Sequence, residues 1–579
     1  MALIGVVTCL AYFPALRNPF IYDDRHIVLG NDLIKDLGHS AEFFRGVVTS
    51  TNSLRVTRPL TMLSIALNYR MGGLNPLVYR FTNLLLHLGC SVLVWAVLRR
   101  LLAAFPIGRK APLCARDADR AALVATACFA LHPINSLVVL MVWKRTTLMA
   151  TIFSLSALLT LFRLRGIGGA PAAGVRHRTA LTVATPLLVL AATACKEVAV
   201  TLPVLTLVIE VWPRPGALPW NWRRLRNVGS LHAAQWLVVL PWLTFLFPHY
   251  MAGLADVTVW EYLLTQAKVI WMYVAMIFHP GLLAASYDVA VAHSLADGWA
   301  LVGGVGIIAA FASAIICTRR APLFGLAIVW VLLALSPTSS FVPNTLLVDE
   351  DRCYLAFLLL WGLAGLGVVR LGQASRARHV AVTALFMVGL TAATMTTTIR
   401  SIVWNDSLGV WADALMKYPN SYMAHRNVCA ELSKRMDNLK LAEAECRRAT
   451  LGPPPDPGSA ISLASVLLRS GRYPEALQAS RAAVQGLPHA YEPEQLAGHA
   501  EWAQGSPDRA LAHYQRALSL NPHDDESRLY LAKCYQELRH FMEARLELDR
   551  LSSSPLLADP AGRALAAEIR ARLALSPAP

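Results

Sequence analysis

Twelve apolar segments crowd the first 400 residues of this chain, at roughly 1–16, 80–98, 121–132, 146–162, 179–194, 198–212, 233–248, 264–278, 299–317, 322–336, 353–369 and 380–397. A soluble core does not absorb so many uninterrupted runs. With 55% hydrophobic and 16% charged residues and a mean hydropathy of +0.45, the chain reads as a polytopic membrane protein. The net charge of +16 looks like a nucleic-acid signal until it is divided. Residues 401–579 hold 20 Lys and Arg against 21 Asp and Glu, so the first 400 carry 33 against 16. The excess belongs to the apolar half, where basic loops set orientation, and no nucleic-acid partner is expected.

Five basic clusters (Arg99 to Arg120, Arg163 to Arg178, Arg214 to Arg226, Arg319/Arg320 and Arg370 to Arg378) hold 19 basic residues against two acids, Asp117 and Asp119. The positive-inside rule makes these loops cytoplasmic. Loops 17–79, 132–145, 195–197 and 337–352, and everything after 400, then lie outside. Both flanks of 264–278 are poor in Lys and Arg. That segment is expected to be re-entrant or to lie along the outer face, leaving about eleven true spans. The N-terminal segment lacks a basic n-region and a small-residue cleavage site, and reads as a retained span or signal anchor. The ten cysteines are scattered without CxxC or Cys/His spacing, so neither a disulfide framework nor a zinc site is expected.

On this topology the polar clusters of the apolar half share one face. They are Asp23-Asp24, Thr57-Arg58-Pro59, Asn83 with His87, His132-Pro133, Lys144-Arg145, Lys196-Glu197, His279-Pro280, Tyr287-Asp288 and Asp349-Glu350-Asp351-Arg352. Each alone is an ordinary loop residue or helix end; together they point to a shared site. Asp23-Asp24 is the most constrained, because a carboxylate is costly in lipid.

After residue 400 the composition turns to mixed-charge, Ala/Leu-rich helix formers. Ala442, Ala476, Ala510 and Ala544 recur at 34-residue steps, as do Pro454, Pro488 and Pro522, and Ala449, Ala483 and Ala517. A 34-residue helix–turn–helix repeat with small residues at fixed positions is the tetratricopeptide (TPR) signature. About four repeats over 423–558 form an α-solenoid whose groove suits an extended peptide or a partner helix. The expected organisation is 1–400 as the membrane domain, with 17–79 its first outer loop, and 401–579 as the solenoid.

An outward polar site in a multispan bundle suits an enzyme acting on a lipid-linked substrate. A carboxylate accepts a proton from an acceptor hydroxyl, and Arg and Lys hold a phosphate leaving group. Phe20-Ile-Tyr-Asp-Asp24, Arg58-Pro-Leu60 leading to Ala66-Leu-Asn-Tyr69, Asn83 with His87, His132-Pro-Ile-Asn135, Lys196-Glu197 and the repeat tail, in that order, resemble the transmembrane and TPR-containing O-mannosyltransferases. The resemblance implies an all-α GT-C glycosyltransferase bundle, a polyprenyl-phosphate-linked sugar donor, often mannose, and protein Ser/Thr hydroxyls as acceptors. It also places the catalytic acid on the first outer loop, at Asp23-Asp24. One departure is Leu137, which stands where relatives commonly carry an acid six residues into the His-Pro motif.

Asp24 is the expected general base, with Asp23 its partner; the alternative is a turn closing the first span. Arg58, Arg145, Lys196 and Arg352 are the candidate donor-phosphate ligands. Arg58 alternatively snorkels at the headgroups, and Lys196-Glu197 is alternatively an interfacial ion pair. Asn83, His87, His132 and Glu197 are expected to line the cavity, although Asn83 and His87 serve equally as interhelical hydrogen-bond partners. No metal or tightly bound cofactor is required. Asp349, Glu350 and Asp351 leave a divalent cation open, with helix N-terminal charge the simpler role. The competing reading is a non-catalytic membrane scaffold that recruits partners through its repeats; a transporter lacks the mid-span charges it needs. Ala/Arg-rich usage favours a bacterial inner membrane with periplasmic repeats; in a eukaryote the same logic gives the ER membrane with lumenal repeats.

Overall fold

The computed structural model describes residues 1–46, 58–106, 113–169, 174–214, 222–251, 257–340, 342–344, 346–435, 438–452, 456–552 and 554–574. Thr57, Arg109, Lys110 and Pro454, named above, lie outside these residues. Among the described residues every regular element is helical. The chain divides into two compact units, 1–283 with 289–407, and 284–288 with 408–579.

The first unit is an apolar bundle. Among the described residues, five helices are long and apolar enough to cross a membrane: Pro76–Ala104, Arg145–Arg165, His177–Cys195, Gly298–Arg320 and Arg376–Val403. Two bent pairs raise the number to as many as seven, Ala115–Leu131 with Pro133–Leu140 (60°) and Glu350–Ala356 with Leu358–Gly372 (62°). The sequence expectation was about eleven spans. Part of the difference is length: Leu202–Val211 has 10 residues and Pro322–Leu335 has 14. At about 1.5 Å per residue, neither helix alone crosses a hydrocarbon core of about 30 Å.

Local chemistry explains the helix boundaries. Asn75 caps Pro76–Ala104 by accepting from Leu77 N, and Thr258 with Glu261 forms a capping box on Val259–Phe278. Arg145–Arg165 stops at Gly166, which takes the left-handed conformation at φ 62°. Beneath the loop that follows residue 17 a small core of Phe20, Ile27, Val28, Phe43, Met62, Ile65 and Tyr79 packs against Val142 and Trp143. That core fixes the loop carrying Asp23 and Asp24.

The second unit stacks four helix pairs: Tyr422–Leu432 with Leu439–Thr450, Pro457–Arg469 with Tyr473–Gly486, Glu492–Ala503 with Pro507–Leu520, and Asp525–Glu537 with Phe541–Arg550. Pro560–Ala574 follows and buries Ala566, Ile569 and Leu573 against the last pair. Ala442, Ala476, Ala510 and Ala544 are fully buried, so the 34-residue small positions are where paired helices meet. Gly471 and Gly505 make the intervening turns at φ 72° and 76°. One expectation is corrected here. Cys429 and Cys446 form a disulfide joining the two helices of the first pair, although the cysteine spacing gave no sign of one.

Candidate functional site

Tyr22 turns the loop after residue 17 through a left-handed conformation, φ 57°, which is uncommon outside glycine and clusters at functional sites. The two carboxylates that follow have different surroundings. Asp24 is fully buried. Its Oδ2 accepts from Val142 N at 3.0 Å and its Oδ1 from Trp143 N at 2.9 Å. Arg80 stands 3.7 Å away, and itself donates to the carbonyls of Asn18 and Pro19. Both Asp24 oxygens are therefore engaged in tying the loop to the backbone after the broken helix. Burial raises its carboxyl pKa, against the pull of Arg80 and of the two backbone N–H groups.

Asp23 is half-buried. Its pKa is pushed up to about 6, chiefly by burial, with Lys144 opposing and the Asp24 and Asp349 charges adding to the rise.

Asp23 lies within electrostatic reach of Lys144, Asp349 and Arg58, near a compact ion cluster. Lys144 is paired with Asp349 and lies 3.5 Å from Asp351. Lys196 Nζ stands 2.8 Å from Asp351 and donates to Thr147 Oγ1 at 2.8 Å, while Thr147 donates to Asp351 at 2.9 Å. Burial works against the Lys144 charge, but Asp349 and Asp351 outweigh it and raise its pKa. Arg58 grips Glu197 through two hydrogen bonds, at 3.0 and 2.7 Å, and lies 4.9 Å over the Trp143 ring. Next to the cluster is a small recess of about 40 Å³. Its lining combines Thr147, Lys196, Asp351 and Arg352 with apolar Val198, Leu202, Leu205, Ala334 and Leu355.

The remaining candidates hold the frame. Arg145 is fully buried and donates to Asn83 Oδ1 (2.8 Å), Ser64 O (3.1 Å) and Tyr79 O (2.9 Å). Asn83 in turn donates to the carbonyls of Val138 and Met141 at 3.2 and 2.9 Å. Together they satisfy backbone groups freed where the helix breaks. His87 bonds Tyr354 Oη at 2.6 Å and Ala130 O at 3.1 Å, and is sealed between helices. His132 accepts from Ile134 N at 3.2 Å and donates to Ile277 O at 2.9 Å. Arg352 borders the recess, but spends three hydrogen bonds on the carbonyls of Thr338, Leu346 and Leu347.

The cluster's centre is made by Lys144, Asp349, Asp351 and Thr147; the sequence grouped the first three with the polar clusters of one face without giving them a role in donor binding, and did not single out Thr147. The available signal was Lys144, an amine ending the apolar run Leu137–Trp143. The three acids at 349–351 are each committed: Asp349 caps the turn that follows, Glu350 pairs with Arg400, and Asp351 pairs with Lys196. Among the described residues, no group of three or more His, Cys, Asp or Glu is arranged to hold a metal ion.

Residues 501–569 match the family model described as tetratricopeptide repeat. Human protein O-mannosyl-transferase TMTC3 is 30% identical over 222 residues, covering 37% of this chain and 22% of that protein. Human TMTC4 is 33% identical over 166 residues, covering 27% and 22%. Tmtc2 of Drosophila melanogaster is 31% identical over 242 residues, covering 40% and 24%. The matches thus span about a quarter or less of the relatives' length. Among solved structures, ArnT from Cupriavidus metallidurans bound to undecaprenyl phosphate aligns over 89% of this chain and 79% of its own, at 15% identity and a TM-score of 0.39. The thermophilic TPR protein TTC0263 of Thermus thermophilus aligns over 35% of this chain and 98% of its own, at 19% identity and a TM-score of 0.25. The chain is a membrane protein with tetratricopeptide repeats, similar in sequence to the protein O-mannosyl-transferases.

Proposed function

We propose that this chain is an inverting GT-C glycosyltransferase that moves a sugar, mannose in the first instance, from a polyprenyl phosphate to Ser/Thr hydroxyls of proteins. The observation that carries the reading is a half-buried carboxylate, Asp23, within electrostatic reach of Lys144, which with Lys196 shares Asp351 beside a recess that is part polar and part apolar. In this scheme Asp23 is the base, and Asp24 is the residue that holds it in place. The Asp23 carboxylate takes the proton of the acceptor hydroxyl while that oxygen bonds to the sugar's anomeric carbon. The bond from that carbon to the phosphate oxygen breaks, and its electron pair leaves on the phosphate. Lys144 and Lys196 exchange their carboxylate partners for phosphate oxygens and stabilise the departing charge.

Residues 1–400 act as the transferase domain, and the groove of 401–579 holds the acceptor protein. The basic-loop pattern puts both the site and the repeats on the outer face, the periplasm in a bacterium or the ER lumen in a eukaryote. The test is purified full-length protein with polyprenyl-phosphate mannose and an acceptor protein, product being read by mass spectrometry. A blank result together with intact partner capture through 423–558 supports the scaffold reading instead.

A further inference from the structure

We propose that the first helix pair of the repeat unit is an oxidatively closed latch for the segment 284–288. The sequence interposes that segment between Val259–Phe278 and Gly298–Arg320, yet it packs as part of the repeat unit. Ser286 Oγ lies 2.8 Å from Ser421 Oγ, and the Tyr287 ring stands edge-on to Tyr418 with centroids 5.2 Å apart. Ser421 also caps Tyr422–Leu432, and His425 on that helix bonds the Pro419 carbonyl at 2.9 Å and pairs with Glu445 of the next helix. The docking surface at 418–421 is thus built on the first helix pair.

That pair differs from the later ones in carrying cysteine on both of its helices. The positions equivalent to Cys429 and Cys446 hold Leu463 and Ser480 in the second pair, Ala497 and Tyr514 in the third, and Leu531 and Leu548 in the fourth. In the first pair a covalent bond joins the two helices at these positions. Closing it converts two thiols to a disulfide, and two electrons and two protons pass to a disulfide-bearing thiol oxidoreductase. Such closure belongs to an oxidising compartment. The latch is independent of glycosyl transfer.

The test uses the full chain in native membranes. Free thiols are blocked with a maleimide, the sample is reduced, and newly exposed thiols are labelled and assigned by peptide mass. Cys429 and Cys446 are expected to label only after reduction; labelling of both before reduction overturns the proposal. Hydrogen exchange then compares Cys429→Ser/Cys446→Ser with Cys429→Leu/Cys446→Leu, the side chains of the fourth pair. The serine variant is expected to lose protection at 284–288 and 418–432 while 457–550 stays protected. The leucine variant is expected to keep protection and to be insensitive to reductant. Full protection in the serine variant, or reductant-dependent loss in the leucine variant, overturns it.

Discussion

Asp23 and Asp24 are adjacent in sequence and separated in role by burial. Asp24→Asn removes a charge facing Arg80 in a fully buried pair, which costs about 3–5 kcal/mol. It should lower the thermal midpoint in detergent together with activity. Asp23→Asn removes a half-buried carboxylate with no such anchor, and should lower transfer by about 10²- to 10⁴-fold at an unchanged midpoint. Because the Asp23 pKa is raised to about 6, its basic form is lost as pH falls through that value. The pH profile of kcat/KM should therefore rise from acid to neutral with a midpoint near 6, and this limb should vanish in Asp23→Asn. The acidic pair itself was legible in the sequence; which member was free was not. That depends on the Tyr22 backbone and on N–H donors at 142 and 143, far along the chain from Asp24.

At the scale of elements, the break at His132-Pro133 was readable because proline cannot continue a helix. The equal bend at Phe357 was not, since nothing at that residue marks it. What holds the first break is the Asn83–Arg145 pair, expected from the sequence to serve the cavity and the donor and found instead to bind carbonyls. Arg145→Met leaves several buried acceptors unpaired. It should cost roughly 3 kcal/mol or more, seen as a loss of thermal stability without a specific rise in donor KM. Close helix approach also depends on Gly365, where an added Cβ would sit 2.1 Å from the Ala121 carbonyl. Gly365→Ala should therefore force Leu358–Gly372 away from Ala115–Leu131 and cost about 1–3 kcal/mol on thermal unfolding.

At the scale of the whole molecule, the division into an apolar bundle and a repeat unit followed from composition and a 34-residue period, both of which are strictly local patterns. The Cys429–Cys446 bond did not, because two cysteines 17 apart meet only once two helices have paired. Nor did the ion cluster, whose members come from 23, 144, 196 and 349–351. Deleting 423–558 should spare transfer to a short Ser/Thr peptide while reducing transfer to a folded protein acceptor, measured as the ratio of the two rates. The most direct test of glycosyl transfer by Asp23 is the rate at which purified wild type, Asp23→Asn and Asp24→Asn move mannose from polyprenyl phosphate to a protein acceptor. Measurable wild-type transfer, at least about 100-fold lost in a fully stable Asp23→Asn, is expected. Transfer by Asp23→Asn at the wild-type rate, or none by the wild type, would contradict it.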